Sequence, residues 1–199
     1  MGQKVSRDRG KIAVLVVDIQ NDFCDDKGIF AKQGLDVKPN QEVVPRIKEF
    51  IEKIRGYDIP IIYSKQIESE EISPENLKEQ LRSGRMVCAP DSWGSELYLL
   101  EPAEGEYVLE KKTYDLFSNP EFKRILENQK IKTLVIIGVN TDICVDTTVR
   151  RAFTEGYRII IPKDLVATVN KEGEKYYLAV FDRFFGDVID SKTILSYLA

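Results

Sequence analysis

Thr133-Leu134-Val135-Ile136-Ile137-Gly138-Val139-Asn140-Thr141-Asp142-Ile143-Cys144-Val145 decides how this chain is read. Its first five residues are apolar or β-branched, a short run that suits a strand buried on both faces. Beyond Asn140 the period changes. Val145, Thr148, Val149, Ala152 and Phe153 recur at helical spacing, and Gly156 is placed to stop that helix. Cys144 therefore falls in the first turn of a helix that leaves the end of a buried strand. The positive end of the helix dipole favours a thiolate there, and the thiolate is the nucleophilic form. A buried structural cysteine is the alternative, and this segment alone leaves the two open.

The same alternation extends outward. Lys11-Ile12-Ala13-Val14-Leu15-Val16-Val17 is another buried-type strand, followed by a loop rich in Asp and Gly from Asn21 to Gly34. Asn40 can cap a helix whose apolar face is Val43, Val44, Ile47, Phe50, Ile51 and Ile54. Pro60-Ile61-Ile62-Tyr63 and Tyr107-Val108-Leu109-Glu110 read as the second and third strands. Ser73-Pro74-Glu75-Asn76 opens a short helix with proline at its first position. Ser118-Asn119-Pro120-Glu121 has capping-box spacing ahead of Phe122, Ile125 and Leu126. Arg158-Ile159-Ile160-Ile161 is a fifth strand. A helix from about Lys171 to Phe185, a sixth strand near Asp187-Val188-Ile189 and a short helix from Ser191 to Leu198 complete the set.

Six apolar strands with helices between them predict a three-layer α-β-α protein with a six-stranded, mainly parallel sheet. The reading is one domain over residues 11–199 behind a polar tail over residues 1–10. The segment from Ile67 to Glu106 is the least regular and predicts part of a pocket wall or a subunit contact.

Composition narrows the chemistry. At 199 residues and 43% hydrophobic content the chain can bury one sizeable core. No apolar run reaches the roughly 18 residues of a membrane span, and Met1 to Gly10 is too polar for a signal peptide. A net charge of -4 without a basic stripe argues against nucleic acid as a partner. Three cysteines without regular spacing point to a reducing, cytoplasmic setting. Histidine is absent. That removes Ser-His-Asp and Cys-His catalysis and His-containing metal sites. Proton transfer is left to Asp, Glu, Lys, Tyr or Cys.

In open parallel sheets ligands bind beyond the carboxyl ends of the strands. The polar residues at those ends are Asp18, then Ser64-Lys65-Gln66, then Lys111 and Lys112, then Asn140, Thr141 and Cys144, then Lys163-Asp164. Taken singly, Asp18 reads as a loop-capping aspartate and either lysine as a solvated one. Taken together with Cys144 they offer a base, a cation and a nucleophile at one sheet edge. An Asp can take the thiol proton while a Lys keeps the Asp ionised and steadies the thiolate.

Asp18-Ile19-Gln20-Asn21-Asp22-Phe23 resembles the opening motif of the isochorismatase-like cysteine hydrolases. Lys111-Lys112-Thr113-Tyr114-Asp115-Leu116-Phe117 is similar to that family's Lys-x-x-Tyr-(Ser/Asp)-x-Phe segment, and Gly138 to Thr148 to its cysteine motif. Asp164-Leu165-Val166-Ala167-Thr168 resembles the family's strand-five end. The resemblance runs from about Lys11 to Leu198 and implies a Rossmann-like isochorismatase fold with an Asp18, Lys111, Cys144 triad. Lys111 is preferred to Lys112 because the family lysine stands three residues before the tyrosine. The resemblance also implies a cis peptide at Val139-Asn140 and an oxyanion hole of backbone N–H groups near Asn140, Thr141 and Cys144. It sets Gln20 and Phe23 beside the substrate, although Phe23 reads equally as core. A homo-oligomer, dimer or tetramer, is implied as well.

Nicotinamidases of the family bind a metal through an Asp-x-His pair and a second His after strand two. Here Tyr63-Ser64-Lys65-Gln66-Ile67-Glu68-Ser69 has no histidine, so no metal or other cofactor is expected and nicotinamidase activity is disfavoured. Two metal-free branches remain. Isochorismatases cleave a vinyl ether, some with Asp and Lys but no cysteine. N-carbamoyl amidohydrolases such as N-carbamoylsarcosine amidase use the full triad to break a C–N bond, and the presence of Cys144 favours this branch. The expected partner is a small amide or carbamoyl compound. Lys65, Arg85 and Arg151 are the candidates to meet a substrate carboxylate. A non-catalytic thiol sensor would need neither Asp18 nor Lys111. Cys24 is a pocket or loop cysteine, Cys88 has no catalytic match, and Trp93 is a pocket wall or an interface anchor.

Overall fold

The computed structural model describes residues 10–198, so the tail read over residues 1–10 lies outside the described residues except for Gly10. In chain order the elements are β1 (Lys11–Val17), α1 (Asn21–Cys24), α2 (Ile29–Lys32), α3 (Lys38–Ile54), β2 (Ile61–Gln66), α4 (Glu75–Gln80), β3 (Tyr107–Lys111) and α5 (Pro120–Asn128). There follow β4 (Ile131–Val139), α6 (Asp146–Thr154), β5 (Arg158–Pro162), β6 (Val166–Ala167), α7 (Lys171–Phe184), β7 (Asp187–Ile189) and α8 (Ser191–Leu198). All strand pairs are parallel. The order is β3-β2-β1-β4-β5-β7, with β6 beside the carboxyl end of β4. The sheet thus has seven strands where the sequence predicts six. The extra one, β6, is two residues long and too short to show a period.

Apolar layers cover both faces. On one, Val14, Val16, Tyr63, Val135 and Ile137 meet Val43, Ile47, Phe50 and Ile51 of α3. On the other, Ala13, Leu15, Val17, Leu134 and Ile136 meet Phe122 of α5, Val149 of α6 and Phe181 of α7. Successive residues of β1 and β4 alternate between the two layers, as the two-residue period of a strand requires. Burial on both faces is why these strands read as unbroken apolar runs. Each fully buried aliphatic or aromatic side chain contributes about 1.5–3 kcal/mol.

Several helix starts differ from the sequence reading. Asn40 lies inside α3, which begins two residues earlier with Pro39 in its first turn. Pro74 flanks α4 instead of opening it. Asn119, and not Ser118, caps α5, its Oδ1 accepting from the Glu121 amide at 2.9 Å.

The strand order places the site. From β1 the chain builds β2 and β3 to one side, then returns to build β4, β5 and β7 on the other. The crevice between the carboxyl ends of β1 and β4 is therefore the topological switch point, where such sheets take ligands. Gly138 lets the two strands close there. Its φ is +120°, and a Cβ would run into the Val17 carbonyl oxygen.

Candidate active site

Asp18 follows β1 with a φ of +49°, a left-handed conformation that Asp tolerates better than most residues. Its Oδ1 accepts from Ser64 Oγ at 2.6 Å, and its Oδ2 lies 2.7 Å from Lys111 Nζ. The pleat of β3 decides between the two lysines. Leu109 and Lys111 point inward, whereas Glu110 and Lys112 are exposed. Lys111 Nζ also donates to Gln66 Oε1 at 2.9 Å and to the carbonyls of Tyr114 at 3.0 Å and Thr113 at 3.2 Å. Both charged side chains are 0% exposed. Buried charges cost several kcal/mol unless paired and hydrogen-bonded, and this pair is both.

Cys144 follows β4, on the other side of the switch point from Asp18. After β4 the chain makes one π-helical turn, Thr141–Val145, before α6 begins. The amides of Ile143 and Val145 both donate to the Asn140 carbonyl. The peptide bond between Val139 and Asn140 is cis. Asp142 fastens the turn, accepting from Thr168 Oγ1 at 2.6 Å and Asn170 Nδ2 at 3.2 Å. Asn40 fastens its start, donating to Asn140 Oδ1 at 3.0 Å and to the Phe23 carbonyl at 2.9 Å.

Cys144 is 5% exposed, with Asp18 and Lys111 as its hydrogen-bonding neighbours. Burial pushes the thiol up, Lys111 pulls it down and Asp18 pushes it up again, for a net rise. The resting residue is a neutral thiol, not the thiolate that a first-turn helix position leads one to expect. Burial is the largest influence on it. Burial also opposes the charge on Lys111, yet Asp18 and Cys144 together hold its pKa above the ordinary lysine value. A neutral thiol beside a carboxylate needs that carboxylate to take its proton before it can attack carbon.

Cys144 opens on a cavity of about 130 Å³ whose walls are Phe23, Phe30, Gln33, Gln66, Glu68, Gln80, Arg85, Val87, Tyr114, Asn140 and Ile143. Phe23 meets Phe30 edge-on at 4.9 Å, so it is wall rather than core alone. The irregular segment supplies Glu68, Gln80, Arg85 and Val87. Gln20 is elsewhere. Its Nε2 donates to the carbonyls of Gln66 and Ser95, and its Oε1 accepts from the Gln66 amide at 2.8 Å. Its side chain is spent on tying the end of β2 to the Ser95 segment. The Thr141 side chain is fully buried and does not line the cavity.

Of the three cations considered for a substrate carboxylate, only Arg85 lines the cavity. Arg151 pairs with Glu155 at 2.6 Å on an exposed helix face, and Lys65 is not part of the wall. Cys24 is in the core. Cys88 donates its amide to Asp22 Oδ2 at 2.7 Å. Trp93 is half exposed and outside the wall.

Three functional positions escape the sequence reading. Asn40 looks like a cap and is a support for Asn140. Asp22 accepts from the Cys88 and Ile29 amides and so holds the irregular segment against α1. Glu68 lies in the stretch read only for its missing histidines. Among the described residues no group of His, Cys, Asp and Glu is arranged to hold a metal ion, and no helix is long and apolar enough to cross a membrane.

A parallel seven-stranded α/β sheet, with an acid, a lysine and a cysteine gathered at its switch point, has the architecture of the isochorismatase-like hydrolases. The isochorismatase domain profile matches residues 12–193, and the chain belongs to the isochorismatase family. N-carbamoylsarcosine amidase from Thermoplasma acidophilum is 30% identical, with 91% of this chain and 96% of that one covered and a TM-score of 0.75. An isochorismatase-like hydrolase from Alkaliphilus metalliredigens is 23% identical over 94% of this chain and 98% of its own, with a TM-score of 0.80. A nicotinamidase from Bacillus subtilis is 24% identical over 90% and 99%, with a TM-score of 0.77. The latter two bear on the fold alone.

Proposed function

We propose that the protein is a metal-independent cysteine amidohydrolase that breaks a C–N bond of a small N-carbamoyl compound. One observation carries the reading. The Cys144 thiol faces the cavity with a fully buried carboxylate and a fully buried ammonium as its neighbours. The likeness to N-carbamoylsarcosine amidase supports the substrate class.

In this mechanism Asp18 takes the Cys144 proton while Lys111 stabilises the thiolate that results. The thiolate attacks the carbamoyl carbon. Backbone N–H groups around Asn140, Thr141 and Cys144 hold the oxyanion. Asp18 returns the proton to the departing nitrogen, the C–N bond breaks and ammonia leaves, with a carbamoyl thioester on Cys144. Asp18 then takes a proton from water, the resulting hydroxide attacks the thioester, and the Cys144 sulfur departs and takes that proton back from Asp18. The carbamate released decays to carbon dioxide and an amine.

The test is ammonia release from small ureido acids and amides, with chelator present, by the wild type and by Cys144→Ala. Release that survives the chelator and is lost in the variant supports the reading. Turnover at the wild-type rate by Cys144→Ala refutes it.

A further inference from the structure

Among the described residues, Glu68 is the single carboxyl group in the wall of the cavity, and it is 4% exposed. Its main-chain amide donates to the Cys88 carbonyl at 3.2 Å. Its Oε1 accepts from Gln66 Nε2 at 3.1 Å and its Oε2 accepts from the Val87 amide at 3.2 Å. Gln66 has no freedom to turn. Lys111 is donor-only and holds Gln66 Oε1, so the Gln66 NH₂ must face Glu68. Both protein partners of the carboxylate are therefore N–H donors, which favours its ionised form. Each oxygen has acceptor capacity left, and Glu68 lines the same cavity as Cys144.

The opposite polarity lies at the rim. Arg85 is exposed, and its Nε donates to Ser83 Oγ at 3.0 Å. The cavity thus has a buried acceptor inside and a cation at its mouth. A ureido acid has the matching order: a carbonyl for Cys144, an N–H on the substituted nitrogen, and a carboxylate farther out.

We propose that Glu68 is a specificity-determining residue that accepts a hydrogen bond from the substituted nitrogen of the substrate. The site then prefers ureido acids with an N–H at that nitrogen over N-alkylated ones. An N-methyl group removes the donor and sets a methyl against a buried carboxylate. A site built to hydrogen-bond a group rejects the analogue that lacks it, because its own polar group is left unpaired. The inference rests on the carbamoyl-amidase reading for its substrate class.

The experiment compares N-carbamoylglycine, which has that N–H, with N-carbamoylsarcosine, which has N-methyl. Wild type, Glu68→Ala and Glu68→Gln are assayed for kcat/KM on both. The same pair is titrated calorimetrically into Cys144→Ala, alone and combined with each Glu68 substitution. Urea unfolding shows which variants are folded. Glu68→Gln keeps the side chain's length, so the comparison survives if Glu68→Ala is misfolded.

The wild type should favour N-carbamoylglycine by about tenfold or more, chiefly through KM, and the ratio should collapse towards one in the folded Glu68 variants. Equal preference in the wild type, or a ratio unchanged by substitution, overturns the role of Glu68 while leaving amidase turnover intact. If neither compound is hydrolysed but Cys144→Ala binds N-carbamoylglycine in a Glu68-dependent way, the amidase reading fails and the role of Glu68 stands. Absence of both turnover and binding overturns both.

Discussion

Asp18→Asn separates the two effects that a carboxylate has on a buried thiol. The substitution keeps an oxygen for Ser64 but removes the charge 2.7 Å from Lys111 Nζ. Removing one member of a buried ion pair costs about 3–5 kcal/mol because the other charge is left uncompensated. Here Lys111 keeps Gln66 Oε1 and the carbonyls of Thr113 and Tyr114. The loss should sit near the lower end, about 3 kcal/mol, read from urea unfolding. Both side chains are fully buried, so solvent does not screen the pair. The thiol responds in the opposite sense. Asp18 raises the Cys144 pKa and Lys111 lowers it. Without the carboxylate only the lowering charge remains, so Cys144 ionises at lower pH than in the wild type. Turnover nevertheless falls, by about 10²–10⁴, because the base is gone. Iodoacetamide labelling of Cys144 across pH, quantified by peptide mass, follows the ionisation. Cys24 and Cys88 are both buried, and burial raises both thiols, so their labelling stays separate and slow. A labelling profile shifted to higher pH, or turnover retained, refutes this account of the triad.

Three further perturbations test other parts of the site. Gly138→Ala combines a positive φ with a clash against the Val17 backbone, so it should cost about 3 kcal/mol or more in urea unfolding and abolish most turnover. Ser64→Ala removes the donor to Asp18 Oδ1 and should cost about 1–2 kcal/mol, lowering kcat while leaving KM near the wild-type value. Burial pushes the Glu68 carboxyl above the usual glutamate value of 4.5. Substrate affinity that depends on ionised Glu68 is then present above its raised pKa and lost as pH falls through it. The acid limb of kcat/KM should lie above that usual value and move in Glu68→Gln, as a pH–rate profile will show.

The central sheet was legible because its strands are buried on both faces. β1 matches its apolar run residue for residue, and the helices α7 and α8 lie where the spacing puts them. The apolar run Pro60 to Tyr63 predicts β2 one residue early and stops three short of its end, because Ser64, Lys65 and Gln66 are polar. They are polar because they end at the site, where Ser64 and Gln66 serve Asp18 and Lys111. The choice of Lys111 over Lys112 came from resemblance, and the strand pleat supplies its physical reason. What pattern could not supply was the direction of isolated polar side chains. Gln20 and Asn40 are short-range ambiguous residues whose partners lie far along the chain, at Ser95 and Asn140. Nor does a period announce a single wide helical turn such as Thr141–Val145.

Lys111 reaches the switch point from β3, which is the outermost strand on its side of the sheet. Outer strands open more readily than central ones, without the rest of the molecule unfolding. A brief peeling of β3 would withdraw the ammonium from Asp18 and Cys144 while the core beneath α3 and α6 stayed intact. One of the three groups of the candidate triad is therefore carried by an edge strand, and heat or denaturant should abolish turnover before the tertiary spectroscopic signals begin to fall.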